Sequence, residues 1–116
     1  MTATAIDAAT FDALKETTGE EFVRELVDMF LAEAPVMLDD LRVSLAQLDA
    51  DRFRRAAHSL KSNANTFGAL ALGAFARDLE LAGVAQAKDR GAQPLDQLAA
   101  EYCRVAAQLR AWRQHE

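Results

Sequence analysis

The chain has 116 residues, 51% of them hydrophobic, and 13 basic side chains against 18 acidic ones give a formal net charge of −5. This size suits one domain with a single core, spanning residues 1–116, and five Gly and two Pro are too few for a turn-rich sandwich or barrel. The negative balance argues against general nucleic-acid binding, one cysteine cannot form an internal disulfide, and no apolar run approaches the roughly 20 residues of a membrane span.

The opening residues Met1 to Asp7 have neither the basic nor the apolar region of a signal peptide. The expectation is therefore a cytoplasmic, monomeric, all-α protein that engages neither nucleic acid nor membrane. Phe11 and Leu14 begin a short first helix that stops before Gly19. Thr18 and Glu21 have the spacing of a capping box for the next helix. That helix places Phe22, Leu26, Phe30 and Ala34 on one face, and Pro35 is expected to end or kink it. The apolar series resumes at Met37, Leu38, Leu41, Leu45 and Leu48.

Asp49 and Asp51 are candidate caps for a third helix reaching about Phe67, and Gly68 suits a left-handed turn after it. A fourth helix carries Leu72, Phe75, Leu79 and Ala82, and Lys88 to Gly91 read as a polar loop. Pro94 fits the first turn of the last helix. There, Leu95, Leu98, Tyr102, Val105, Leu109 and Trp112 alternate three and four apart, the seam of helices packed nearly antiparallel. The predicted fold is an antiparallel up-down four-helix bundle with a short additional N-terminal helix laid across it.

The third helix separates its residues most sharply. At about 100° per residue, Phe53, Ala56, Ala57, Leu60, Ala64 and Phe67 share one arc, while Arg54, Arg55, His58, Lys61, Ser62 and Asn65 lie opposite. His58 is at the centre of the polar arc, so its ring is predicted to project into solvent. Residues 51–61 carry four basic side chains (Arg52, Arg54, Arg55, Lys61) and one acidic (Asp51), a local +3 against −8 for the other 105 residues. A basic field around an exposed, nucleophilic imidazole suits an anionic group or an acidic docking surface. Taken singly, a surface histidine and a basic cluster are most often only solvated.

The segment from Ala57 to Ala69 resembles the signature of histidine-containing phosphotransfer (HPt) domains of two-component phosphorelays. That signature has a His, then Leu, Lys, a small residue and Gly at two, three, four and ten residues on. Here these are His58, Leu60, Lys61, Ser62 and Gly68. The Phe30 to Pro35 segment before it and the Leu79–Glu80 pair after it extend the likeness over nearly the whole chain. The resemblance implies that His58 carries a phosphoryl group between the aspartate of a hybrid kinase receiver domain and that of a response regulator. Lys61 would offset its charge and Ser62 would leave room for the partner. Asn65, Arg54 and Arg55 would contribute to docking, and Gly68 would serve the turn. No cofactor is implied, the Mg²⁺ belonging to the receiver, and no turnover is expected of a chain without a nucleotide loop.

Other residues read more plainly. Cys103 is expected to be a small core residue beside the last seam, and His115 lies in a terminal stretch. His58, Cys103 and His115 have no metal-ligand spacing. A non-catalytic docking module is the alternative reading. A metal-dependent hydrolase would require inward Glu-x-x-His pairs, which the sequence lacks. Whether Arg77 and Glu80 reach the imidazole is left open.

Overall fold

Short connections dictate the topology. The computed structural model describes residues 5–114; residues 1–4 and 115–116, His115 among them, lie outside this range. The described residues form α1 (Ala8–Thr18), α2 (Glu20–Gln47), α3 (Ala50–Thr66), α4 (Leu70–Arg90) and α5 (Gln93–Gln114), with no strand among them. Only Leu48 and Asp49 join α2 to α3, and only Gly91 and Ala92 join α4 to α5, so consecutive helices must run antiparallel. α2 packs on α3, α3 on α4, α4 on α5, and α5 closes the ring on α2. The expected up-down bundle is present.

Its core is the inner stripe of each helix: Val23, Val27, Phe30 and Leu41 of α2, Phe53 and Leu60 of α3, Leu72 and Leu79 of α4, and Leu98, Val105 and Leu109 of α5. α1 lies across one end. Asp7 caps it through a bond from Thr10 N–H (3.0 Å), Asp7 N–H donates to Gly68 O (2.8 Å), and Phe11 meets Trp112 edge-on at 5.0 Å. Gly68 has φ +82°, and a Cβ there would press on Asp7 O and the Thr10 side chain at 2.9 Å. One glycine thus supplies both the left-handed turn after α3 and the bed for α1.

Several local expectations are corrected. Thr18 and Glu21 form no capping box. Thr18 belongs to the last turn of α1, where its hydroxyl donates to Leu14 O (2.7 Å), and Gly19 is the cap residue of α2. Pro35 does not end α2, which continues through it to Gln47. Its ring faces solvent, and buried Phe30, Ala34, Leu38 and Leu41 on both sides outweigh one lost hydrogen bond.

Phe22 is 48% exposed, and Val23 and Val27 take the inner positions. Strict four-residue steps drift around a helix, whereas the buried line here mixes steps of three and four. Phe75 and Ala82 are half-buried, with Ala76 inside between them. Lys88, Asp89 and Arg90 are not a loop but the last turn of α4, where two cations suit the helix C-terminus. α4 instead departs from helical geometry at Gly83 (φ 76°, ψ 170°), a conformation open essentially to glycine. Cys103 is exposed, because a residue next to buried Tyr102 is turned about 100° from the seam.

Phe53, with no exposed surface, is the largest side chain wholly within the bundle. Phe53→Ala is expected to lower the unfolding free energy by about 3–5 kcal/mol, measurable by denaturant titration.

Candidate functional site

The polar face of α3 is built by its own cap and core. Asp49 accepts the Arg52 N–H (3.2 Å) and starts the helix. Phe53, Ala56, Ala57, Leu60 and Ala64 turn inward, which forces His58, Lys61, Ser62 and Asn65 outward. The His58 side chain is 57% exposed. It is held on a rigid helix with its ring at the surface, as its position on the arc predicts.

α4 supplies what the sequence left open. Glu80 adjoins buried Leu79 and lies on the edge of α4 facing α3, its side chain only 17% exposed. One carboxylate oxygen, Oε2, is 2.8 Å from His58 Nδ1, and the other, Oε1, accepts from Lys61 Nζ at 2.7 Å. Lys61 holds the Glu80 carboxyl below its ordinary range; partial burial opposes this and the His58 contact adds to it. An ionised carboxylate only accepts hydrogen bonds. His58 Nδ1 therefore donates, and in the neutral ring it is Nε2 that keeps the lone pair. The site presents a nucleophilic nitrogen beside a cation.

Glu80 reaches α3 because the two helices lie close. A Cβ on Gly73 would collide with the Asn65 carboxamide, so Asn65 rests in the space that this glycine leaves open. Gly73 escaped the sequence reading, since a helical glycine carries no local signal of what crosses it. Asn65 remains on the exposed face, two turns from His58, but part of its side chain serves this approach. Ser62 is exposed one turn from His58, and the hydrogen bond of the ring goes to Glu80. Arg77 is exposed on α4 and bonds to neither His58 nor Glu80.

The local charge of +3 is also corrected, because a count along the chain omits counter-ions from neighbouring helices. Arg52 pairs with Asp40 of α2 at 2.6 Å, Arg54 and Arg55 share Asp51 at 2.9 and 3.1 Å, and Lys61 is engaged by Glu80. Arg54 and Arg55 remain more than half exposed. Among the described residues no group of three His, Cys, Asp or Glu side chains is placed to share a metal ion, and no helix is long and apolar enough to cross a membrane.

An antiparallel helical bundle that displays one oriented imidazole from the middle of a helix is the architecture of histidine phosphotransfer proteins. The chain belongs to the Hpt domain family, whose model matches residues 25–115. It is similar to histidine-containing phosphotransfer protein B (HptB) from Pseudomonas aeruginosa PAO1, with a TM-score of 0.89 and 25% identity over 99% of each chain. Comparison with curated proteins returns no match. Its role is histidine phosphotransfer in phosphorelays, as a carrier whose partners are receiver domains of two-component systems.

The shift at Glu80 has a definite sign. A carboxyl held below its ordinary 4.5 is ionised throughout the neutral range, and the stability its contacts contribute is lost only as pH falls through its lowered value. Lys61→Met removes the largest cause. The Glu80 midpoint, followed by carbon NMR of its carboxyl, is expected to rise in that variant; an unchanged midpoint would contradict the assignment.

Proposed function

We propose that His58 accepts a phosphoryl group on Nε2 from the aspartyl phosphate of one receiver domain and passes it to an aspartate of a response regulator. The observation that carries this reading is the bond from His58 Nδ1 to Glu80 (2.8 Å) on an exposed ring. It leaves one nitrogen nucleophilic and pointed away from the bundle. In the accepting step the Nε2 lone pair attacks phosphorus, the P–O bond to the donor aspartate breaks, and that aspartate leaves as a carboxylate. Onward transfer reverses these roles with a second aspartate.

Such exchange depends on positioning and charge neutralisation rather than on a strong acid or base. Lys61 supplies positive charge one turn along the helix. Ser62 leaves space for the partner's loops, and Arg54, Arg55 and Asn65 border the approach as docking residues. Gly68 fixes the end of the helix that carries them. Mg²⁺ belongs to the receiver's acidic pocket, and the chain, a single domain acting as a cytoplasmic monomer, needs no cofactor and has no turnover of its own.

The test is to incubate the protein with a receiver domain bearing labelled phosphate. Acid-labile, alkali-stable label is expected on the wild type and none on His58→Gln. Equal labelling of the variant refutes the reading, and receiver binding without any label favours a docking module instead. Ser62→Phe, which fills the approach without touching the core, is expected to slow uptake by about a hundredfold in rapid-quench measurements.

A further inference from the structure

The bundle carries a second recess, built from helix ends and lined by no residue of α3. α2 stops at Gln47, α4 stops at Arg90 and α5 begins at Gln93. Where these ends meet, Ala46, Gly91 and Ala92 are too small to fill the space between Leu45 of α2 and Leu95 of α5. A cavity of about 340 Å³ is left, and Arg42 of α2, Lys88 of α4 and Asp96 of α5 complete its wall. At about 30 Å³ for each water, this is room for a small organic molecule.

The wall holds positive charge that the fold leaves unpaired. Arg42 and Lys88 come from different helices and line one recess, yet neither enters an ion pair among the described residues. Arg52, Arg54, Arg55, Lys61 and Arg113, by contrast, each meet a carboxylate. The acid of the wall, Asp96, belongs to the first turn of α5, where the positive end of its own helix stabilises it. The floor is apolar: Leu95 is buried and Leu45 half-buried. Two unpaired cations beside an apolar floor are complementary to one kind of ligand, an anion carried on an apolar body.

We propose that this recess binds a small organic carboxylate of roughly ten non-hydrogen atoms. Its apolar body lies on Leu45 and Leu95, and its carboxylate sits between Arg42 and Lys88. A bare inorganic anion would leave the floor wet, and a neutral apolar molecule would leave the cations unpaired. A second copy of the chain is a poor occupant, because two molecules that each carry a net charge of −5 repel one another. The bound carboxylate ties together the ends of α2, α4 and α5, beyond the break at Gly83 that separates this end of α4 from Glu80. Binding only to the folded chain, it also stabilises the bundle. Nothing in this assignment rests on phosphotransfer through His58.

The probe is phenylpropanoate, titrated into the full isotope-labelled chain and followed by amide NMR. Phenylpropanol is the control without charge, and acetate the control without an apolar body. Saturable shifts are expected at Leu45, Ala46, Ala92 and Leu95 and not around His58. The alcohol should bind about tenfold more weakly for its lost ion pairs, and acetate about tenfold more weakly for its lost apolar contact. Arg42→Gln and Lys88→Gln should each weaken binding about threefold. Ala46→Leu, which fills the recess from an exposed helical position, should abolish it, and the amide spectra themselves show that each variant is folded. Absence of saturable shifts, equal binding of the alcohol, shifts centred on Arg54 and Arg55, or binding indifferent to all three variants overturns the proposal. Movement of the same amides when the protein alone is concentrated makes a second copy the occupant and overturns it too. None of these outcomes alters the labelling of His58, so the phosphotransfer reading stands or falls separately.

Discussion

The site depends on one carboxylate held between two helices. Glu80 of α4 gives one oxygen to Lys61 and the other to His58, and these charge-assisted bonds join residues 19 and 22 positions apart in the chain. The lysine holds the glutamate carboxyl below its ordinary range, and the ionised glutamate accepts from Nδ1. Remove the glutamate and the orientation of the ring loses its cause. The carboxylate reaches α3 where the two helices lie close, and Gly73 of α4 leaves room there for the Asn65 side chain of α3.

The helical bundle, the exposed face of α3 and the position of His58 on it were legible in the sequence because each is written in local periodicity. Alternating three- and four-residue spacing marks the seam of α5, and the segregation of Phe53, Ala57 and Leu60 from His58 and Lys61 needs no knowledge of other helices. The family signature around His58 is local as well. The face of α2 was misjudged at Phe22, and Pro35 was given too much weight, because helix rotation and the cost of a lost hydrogen bond are both settled by tertiary packing. The role of Glu80 was illegible for the same reason. It depends on the register of α4 against α3, which is set by residues such as Gly73 whose significance lies wholly in what crosses them.

Charge shows the same division. A count along the chain isolates a basic stretch about His58, and the fold then brings Asp40 and Glu80 against two of its four cations while Asp51 engages the other two. What an approaching acidic surface meets in Arg54 and Arg55 is a pair of cations engaged at the surface by Asp51, in bonds worth little to stability and able to exchange partners. This suits transient contact better than permanent assembly.

The brevity of the connections has a consequence for how the protein is made. With three residues, Phe67 to Ala69, between α3 and α4, every atom of the His58, Lys61 and Glu80 cluster lies within one helical hairpin of contiguous chain. Little loop-closure entropy opposes its formation, and a topology of local contacts folds on the microsecond-to-millisecond scale. The pairing of α5 with α2, between parts of the chain far apart in sequence, closes the ring of helices. All three residues of the cluster are thus already present in the growing chain before α5 has been made.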